Sequence, residues 1–281
     1  MFKKVCIVGP GLIGGSLALA LKKAGMAETI AGIGHRSISL ERALKLGAID
    51  KGFLEFRKGI SRADLVVLAT PVATILKYLE KNFSSLEKGA LITDTGSTKS
   101  EIVKKAEFLL PSSVYFVGGH PIAGSEKKGV EAATPGLFKG KTVVLTKTKK
   151  TNRKALQMVK ELWQSVGAKT KVLSPAGHDR IIAYLSHLPH LAAVALVKAI
   201  KESSERKNFS FAGSGFKDTT RIASGSPQLW CDIFSTNSNE VLSALDDFKK
   251  SLNTIEKLIE KKDWKELKNQ LQKVKHFRDR L

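Results

Sequence analysis

The feature that most constrains the fold is Gly9-Pro10-Gly11-Leu12-Ile13-Gly14, set directly after the apolar run at residues 5–8 and opening the amphipathic segment Leu12–Lys23. The bare G-x-G-x-x-G pattern is common. Strand, glycines and helix in this order supply a tight turn, close backbone approach and a positive helix end, the three properties a pyrophosphate needs. Gly9, Gly11, Leu12, Ile13 and Gly14 are therefore candidate dinucleotide-binding residues.

The same rhythm continues to about residue 173. Runs at 5–8, 29–31, 65–69, 91–94, 115–117, 142–145 and 169–172 read as strands alternating with amphipathic segments, with Gly25, Pro71 and Ser97-Thr98 marking helix stops and starts. Continuous apolar strands are buried on both faces, so the expected class is α/β, with an N-terminal Rossmann-type doubly wound parallel sheet. After Ser174-Pro175 the strand signals stop, and residues 178–201, 227–234 and 237–281 read as helices. The expected organisation is a dinucleotide-binding domain over 1–174 and an all-α substrate and dimerisation domain over 175–281. Leu242, Leu245, Phe248, Leu252, Ile255 and Leu258 form a stripe that one helix of a small domain does not easily bury. An intrachain bundle and a homodimer interface through the C-terminal helices are both open readings of it.

With 47 Lys+Arg against 26 Asp+Glu, the formal net charge of +21 attracts polyanions in general. The lysines are spread over most expected helices without interleaved aromatics, which argues against a specific nucleic-acid groove and favours a small anionic substrate. No window approaches the roughly 18 uninterrupted apolar residues of a spanning helix, so no membrane partner is expected. Two cysteines, Cys6 and Cys231, cannot make a disulfide framework, and the start MFKKVCIVG lacks a signal-peptide pattern. The expected location is cytoplasmic.

NAD-preferring loops carry an acid about 20 residues past the glycines. Here that position reads Gly34-His35-Arg36, with no Asp or Glu between Glu28 and Glu41. Nothing acidic repels a 2′-phosphate, and His35 and Arg36 offer donors, so NADP is favoured over NAD. Thr70-Pro71 and Ser97 follow two later strands, at the edge where open α/β sheets place their ligands. His120, between Gly118-Gly119 and Pro121, is positioned to accept a proton from a substrate hydroxyl; a satisfied structural histidine fits the residues equally. His178, His187 and His190 fall within thirteen residues, yet lack zinc spacing and cysteines, so no metal is expected. Arg221 closes a glycine-bracketed segment and suits a forked grip on a carboxylate, or a surface loop.

Taken together, GPGLIGGSLA, ATPV, DTGSTK, GGHPIAGSE, HDR, SHLPH and GFKDTTRIA resemble the prephenate dehydrogenase family of tyrosine biosynthesis, over nearly the whole chain and in a monofunctional form. The resemblance implies an oxidative decarboxylation in which NAD(P)+ takes the ring C4 hydride of prephenate, CO2 leaves and 4-hydroxyphenylpyruvate forms. It casts His120 as the catalytic residue meeting the ring hydroxyl, with Ser97 orienting both His120 and the nicotinamide. It further casts Arg221 as the carboxylate clamp, His190 as the contact to the pyruvyl side chain and His178 as a further active-site histidine. Glu126 and Asp218 resemble an ionic gate, Ser186 a tyrosine-sensing position, and His187 packing. A histidine at 190 goes with prephenate; arogenate dehydrogenase using NADP is the alternative, and a β-hydroxyacid-type dehydrogenase a remoter one.

Overall fold

The computed structural model describes residues 1–81, 83–124 and 129–280. Six strands, β1 (Phe2–Val8), β2 (Ala27–Ile33), β3 (Lys51–Phe53), β4 (Leu65–Leu68), β5 (Leu91–Asp94) and β6 (Tyr115–Val117), form a parallel sheet in the order β3-β2-β1-β4-β5-β6. The order reverses between β1 and β4, and a crevice opens there at the carboxyl ends of the strands. The helices α1 (Leu12–Lys23), α2 (Ser37–Lys45), α3 (Phe56–Ile60), α4 (Val72–Leu79) and α5 (Ser100–Leu109) connect them. Strand period separates the two apolar layers: Val5 and Ile7 join one cluster with Leu17 and Leu21, while Cys6 and Val8 join the other with Ile75 and Ile102.

The strands expected at 142–145 and 169–172 do not extend this sheet. They appear as β8 (Thr142–Thr146) and β9 (Lys169–Leu173), and with β7 (Gly119–Pro121) form a second, three-stranded sheet in the order β7-β8-β9. β7 is antiparallel to β8, β8 and β9 are parallel, and α6 (Arg153–Ser165) crosses between the latter two. The sequence hides β7 because Gly-His-Pro carries turn signals, and its pairing comes entirely from β8. The chain changes sheets at Gly118, where an added Cβ would lie 2.4 Å from Thr146 Oγ1, and at Gly119 one would lie 2.7 Å from the Asp94 carbonyl oxygen. Glycine is required there by close approach, and that approach delivers His120 to the sheet edge.

From Ser174 onward the described residues are helical. Ser174 Oγ accepts Gly177 N–H at 3.1 Å and opens α7 (Pro175–Ile182), which runs through a π-helical turn (Ala183–His187) into α8 (Leu188–Glu202). Then come α9 (Ser214–Thr220), α10 (Pro227–Thr236), α11 (Ser238–Glu260) and α12 (Trp264–Arg278). The long helix expected over 237–281 is broken at Lys262, whose φ is 54°, and restarts at Asp263, which caps Glu266 N–H at 3.0 Å. Asp263 with Glu266 is a helix-start signal that the surrounding charge run obscured.

The continuous helix Pro175–Glu202 is long and apolar enough, by length and composition, to cross a membrane. It holds no long uninterrupted apolar run, because its histidines and Pro189 break the sequence, while its mean hydropathy is 1.4 over the most apolar window. Only 28% of that window is buried within the chain. The helical half has a small core of Ala183, Val241 and Ala244 and leaves Leu242, Leu252 and Ile255 exposed, so the apolar stripe is not covered within one chain.

Candidate active site

A cleft of about 430 Å³ opens at the switch point between β1 and β4. Gly9, Gly11, Gly34, His35, Thr70 and Pro71 line it. Gly9 has φ +88°, and an added Cβ would lie 2.6 Å from Thr70 Cγ2, so only glycine closes this turn. Gly14 seats α1 on the sheet, its notional Cβ 2.4 Å from the Gly9 carbonyl oxygen. Leu12 and Ile13 form the first turn of α1, which contains no acidic residue. Gly11 faces open space, and the buried Thr70 Oγ1 has no hydrogen-bond partner among the described residues. An open glycine, a free hydroxyl and a positive helix end together fit a dinucleotide pyrophosphate.

Arg36 departs from expectation. It is exposed at the start of α2 and is not among the residues lining the cleft. Arg42, six residues further along α2, does line it, and its Nη1 meets Glu131 Oε1 at 2.5 Å across the mouth. The helical offset placed Arg42 beyond the strand end that sequence reasoning inspected.

Further along the same carboxyl edge, past β4 to β5, four histidines gather where the two halves meet. His120 Nδ1 lies 2.8 Å from His178 Nε2, and His178 Nδ1 lies 2.8 Å from Asp179 Oδ1. The carboxylate of Asp179 also accepts the backbone N–H groups of Lys99 (2.7 Å) and Ser100 (2.8 Å), capping α5 from across the seam. Asn237 Nδ2 donates to the Asp179 carbonyl at 2.9 Å and to His187 Nδ1 at 3.2 Å. The proton positions follow from this network. A carboxylate only accepts, so His178 Nδ1 carries a proton, His178 Nε2 accepts from His120 Nδ1–H, and His120 Nε2 is left with its lone pair.

Electrostatics agree. Burial holds His120 well below its ordinary value, with His178 and Lys99 nearby adding to the effect. Burial also lowers His178, opposed by the bond to Asp179. Burial pushes Asp179 up, but its bonds from His178 and Ser100 outweigh that and keep the carboxyl below its usual range. At neutral pH the result is two neutral imidazoles strung on one carboxylate.

His190 is buried and stacks on Trp230, with ring centroids 3.6 Å apart and planes 9° from parallel. Burial lowers it too, opposed by a hydrogen bond to the Ile222 backbone. The turn Arg221–Ser224 therefore sits against His190, bringing Arg221 into its neighbourhood; Arg221, Asp218 and Ser186 are themselves exposed in a single chain. Gly213 to Arg221 forms α9 and the start of that turn instead of a loop. Ser97 lies between β5 and α5, and the partner the structure gives His120 Nδ1 is His178, not Ser97. Glu126 lies outside the described residues. Asp179, Asn237 and Trp230 escaped sequence reasoning: Asp179 was visible only as the neighbour of His178, and nothing local marks Asn237 or Trp230.

A glycine-lined cleft at a sheet switch point, with neutral histidines further along the same carboxyl edge, is the layout of a nicotinamide-dependent oxidoreductase. The chain belongs to the prephenate dehydrogenase family. Residues 17–172 match the family described as prephenate dehydrogenase, nucleotide-binding domain, and residues 174–273 the one described as prephenate dehydrogenase, dimerization domain. Prephenate dehydrogenase of Bacillus subtilis is 39% identical over 280 residues, 99% of this chain and 76% of the relative. The crystal structure of prephenate dehydrogenase from A. aeolicus in complex with hydroxyphenyl propionate and NAD+ is 40% identical, with a TM-score of 0.94 over 100% of this chain and 98% of that one. Synechocystis arogenate dehydrogenase is 32% identical, with a TM-score of 0.86 over 99% of each chain.

Proposed function

We propose that this chain catalyses the oxidative decarboxylation of prephenate to 4-hydroxyphenylpyruvate. The observation that carries the reading is the Asp179–His178–His120 relay, which leaves His120 Nε2 as an acceptor at the carboxyl edge of the sheet. A dinucleotide bound at Gly9, Gly11 and Thr70 supplies the acceptor for the C4 hydride. His120 Nε2 accepts the hydrogen bond of the ring hydroxyl and takes its proton as the hydride departs. The imidazolium so formed is stabilised through His178 by the Asp179 carboxylate. Loss of CO2 then sends electrons into the ring, and the phenolic oxygen recovers the proton from His120. Aromatisation drives the reaction, so the protein's work is orientation and charge.

Ser97 orients the nicotinamide side, while Arg221 and His190 hold the substrate's carboxylate and pyruvyl group. Asp218 and Glu126 serve as a gate, and Ser186 senses tyrosine. NADP+ is the preferred cofactor: the strand end at Gly34 and His35 carries no acid, and Arg42, which reaches the cleft paired with Glu131, supplies the cation for a 2′-phosphate more than Arg36 does. The two halves divide at Ser174. The exposed stripe of α11 and the exposed apolar residues of the Pro175–Glu202 helix support a homodimer through the C-terminal helices, in keeping with the dimerization domain to which residues 174–273 match. Cys6, whose thiol burial pushes up to about 12, and the unpaired Cys231 fit a reducing cytoplasm.

The test is a set of initial rates of nicotinamide reduction, crossing prephenate and arogenate with NADP+ and NAD+. Prephenate turnover, faster with NADP+, is expected. Turnover of arogenate alone overturns the use made of His190, and silence in all four combinations from folded, dinucleotide-binding protein overturns the function.

A further inference from the structure

The ammonium of Lys99 and the carboxylate of Asp94 form an ion pair with neither side chain exposed at all, outside the set of residues given a chemical role above. Such a pair is a poor stabiliser, because desolvating two charges offsets most of their attraction and apolar side chains of the same volume do as well. Its location is also adverse: Lys99 is the residue flanking the N-terminus of α5, where the helix dipole disfavours a cation. A positional role accounts for what stability does not.

We infer that Lys99 and Asp94 are positioning residues that hold His120 by both its backbone and its ring. The inference rests on the reading of His120 as the proton acceptor. Asp94 Oδ1 accepts Gly119 N–H at 3.1 Å, and Oδ2 accepts Gly96 N–H at 2.8 Å while pairing with Lys99 Nζ. That fixes the backbone immediately before His120 against the end of β5. Lys99's own N–H is held by Asp179 Oδ1 at 2.7 Å, the same oxygen that receives His178. One residue thus joins the carboxylate that places the His120 main chain to the carboxylate that, through His178, places its ring.

Lys99 also bears on the His120 ring electrostatically. Among the described residues, the titratable groups around His120 are His178 and Asp179 from α7, His187 from the π-helical turn, and Lys99 with Asp94 from the β5–α5 connection. Burial lowers Lys99 while Asp94 and Asp179 hold its charge, and that charge opposes protonation of His120.

The experiment uses Lys99→Met and the double variant Asp94→Asn/Lys99→Met, in which the asparagine oxygen still accepts Gly119 N–H, the amide nitrogen gives up the bond from Gly96 N–H, and no charge is left buried. The His120 ring proton is followed by NMR through a pH titration, assigned by its loss in His120→Asn, alongside kcat, KM for the dinucleotide and thermal stability. Expected in both variants are a His120 titration moved to higher pH, an acid limb of kcat moved the same way, kcat at least about tenfold lower, and a dinucleotide KM within about twofold. The double variant is expected to regain stability without regaining kcat. Recovery of kcat along with stability, a His120 titration at the wild-type position, or a double variant that does not fold makes the pair purely structural and overturns the inference. Failure of the underlying reading looks different: His120→Asn then turns over normally, while the titration still reports on Lys99.

Discussion

The two halves of the molecule treat apolar surface in opposite ways. The sheet half closes over Trp163, Phe138 and the strands of both layers, with Trp163 fully buried against Phe138 at a 5.1 Å edge-on contact. The helical half keeps its interior for polar groups, with His178, Asp179, His187, His190 and Asn237 among its buried residues, and leaves Leu185 and Leu242 on the outside. A sealed apolar core stabilises by itself, whereas a polar seam under open apolar faces contributes far less of that stabilisation.

The largest expected effect tests the sealed half: Trp163→Ala lowers stability by about 3–5 kcal/mol in chemical denaturation. A loss comparable to an exposed substitution breaks the contrast. Next, His120→Asn lowers kcat by about 10²-fold or more, roughly 2.7 kcal/mol of barrier, with substrate KM little changed; near-normal turnover removes His120 from the chemistry. Third is the pH dependence of the polar seam. Burial lowers His187 to about 4, so the unfolded chain binds this proton first as the pH falls below 6.5. Stability therefore drops between pH 6.5 and 4, by up to about 3 kcal/mol from His187 alone, and His187→Phe flattens that part of the profile. A profile that His187→Phe leaves unchanged shows that the seam is not desolvated as described.

Smaller effects follow on the surfaces. Leu252→Glu with Ile255→Glu weakens self-association by about tenfold or more in sedimentation, leaving the sheet half folded; an unchanged association constant places the contact elsewhere. Gly34→Asp shifts the NADP+/NAD+ ratio of kcat/KM towards NAD+ by a few fold, tempered because its Cβ meets Leu40 Cδ2 at 3.1 Å.

The contrast also explains what could be read from the sequence. The glycine loop, the parallel strands and the switch to helices are written in local patterns, because period and turn chemistry act over a few residues. β7 is not, since Gly119-His120-Pro121 becomes a strand only by pairing with Val143, Val144 and Leu145. His120, His178 and His190 were found by residue type and resemblance. Asp179, Lys99, Asn237 and Arg42 needed the fold, for their roles lie in contacts up to 89 residues apart along the chain. The missing acid after β2 was legible, whereas Arg42, the arginine that lines the cleft, lies six residues beyond Arg36.

The cap on α5 carries one more consequence. The first N–H groups of that helix, at the heart of the sheet half, are satisfied by a carboxylate belonging to the other half. A helix capped from elsewhere loses its cap when its donor unfolds, and Lys99 then faces the helix dipole without Asp179 beside it. Unfolding of the helical half therefore uncaps α5, and the sheet half produced alone is expected to start α5 frayed at that turn.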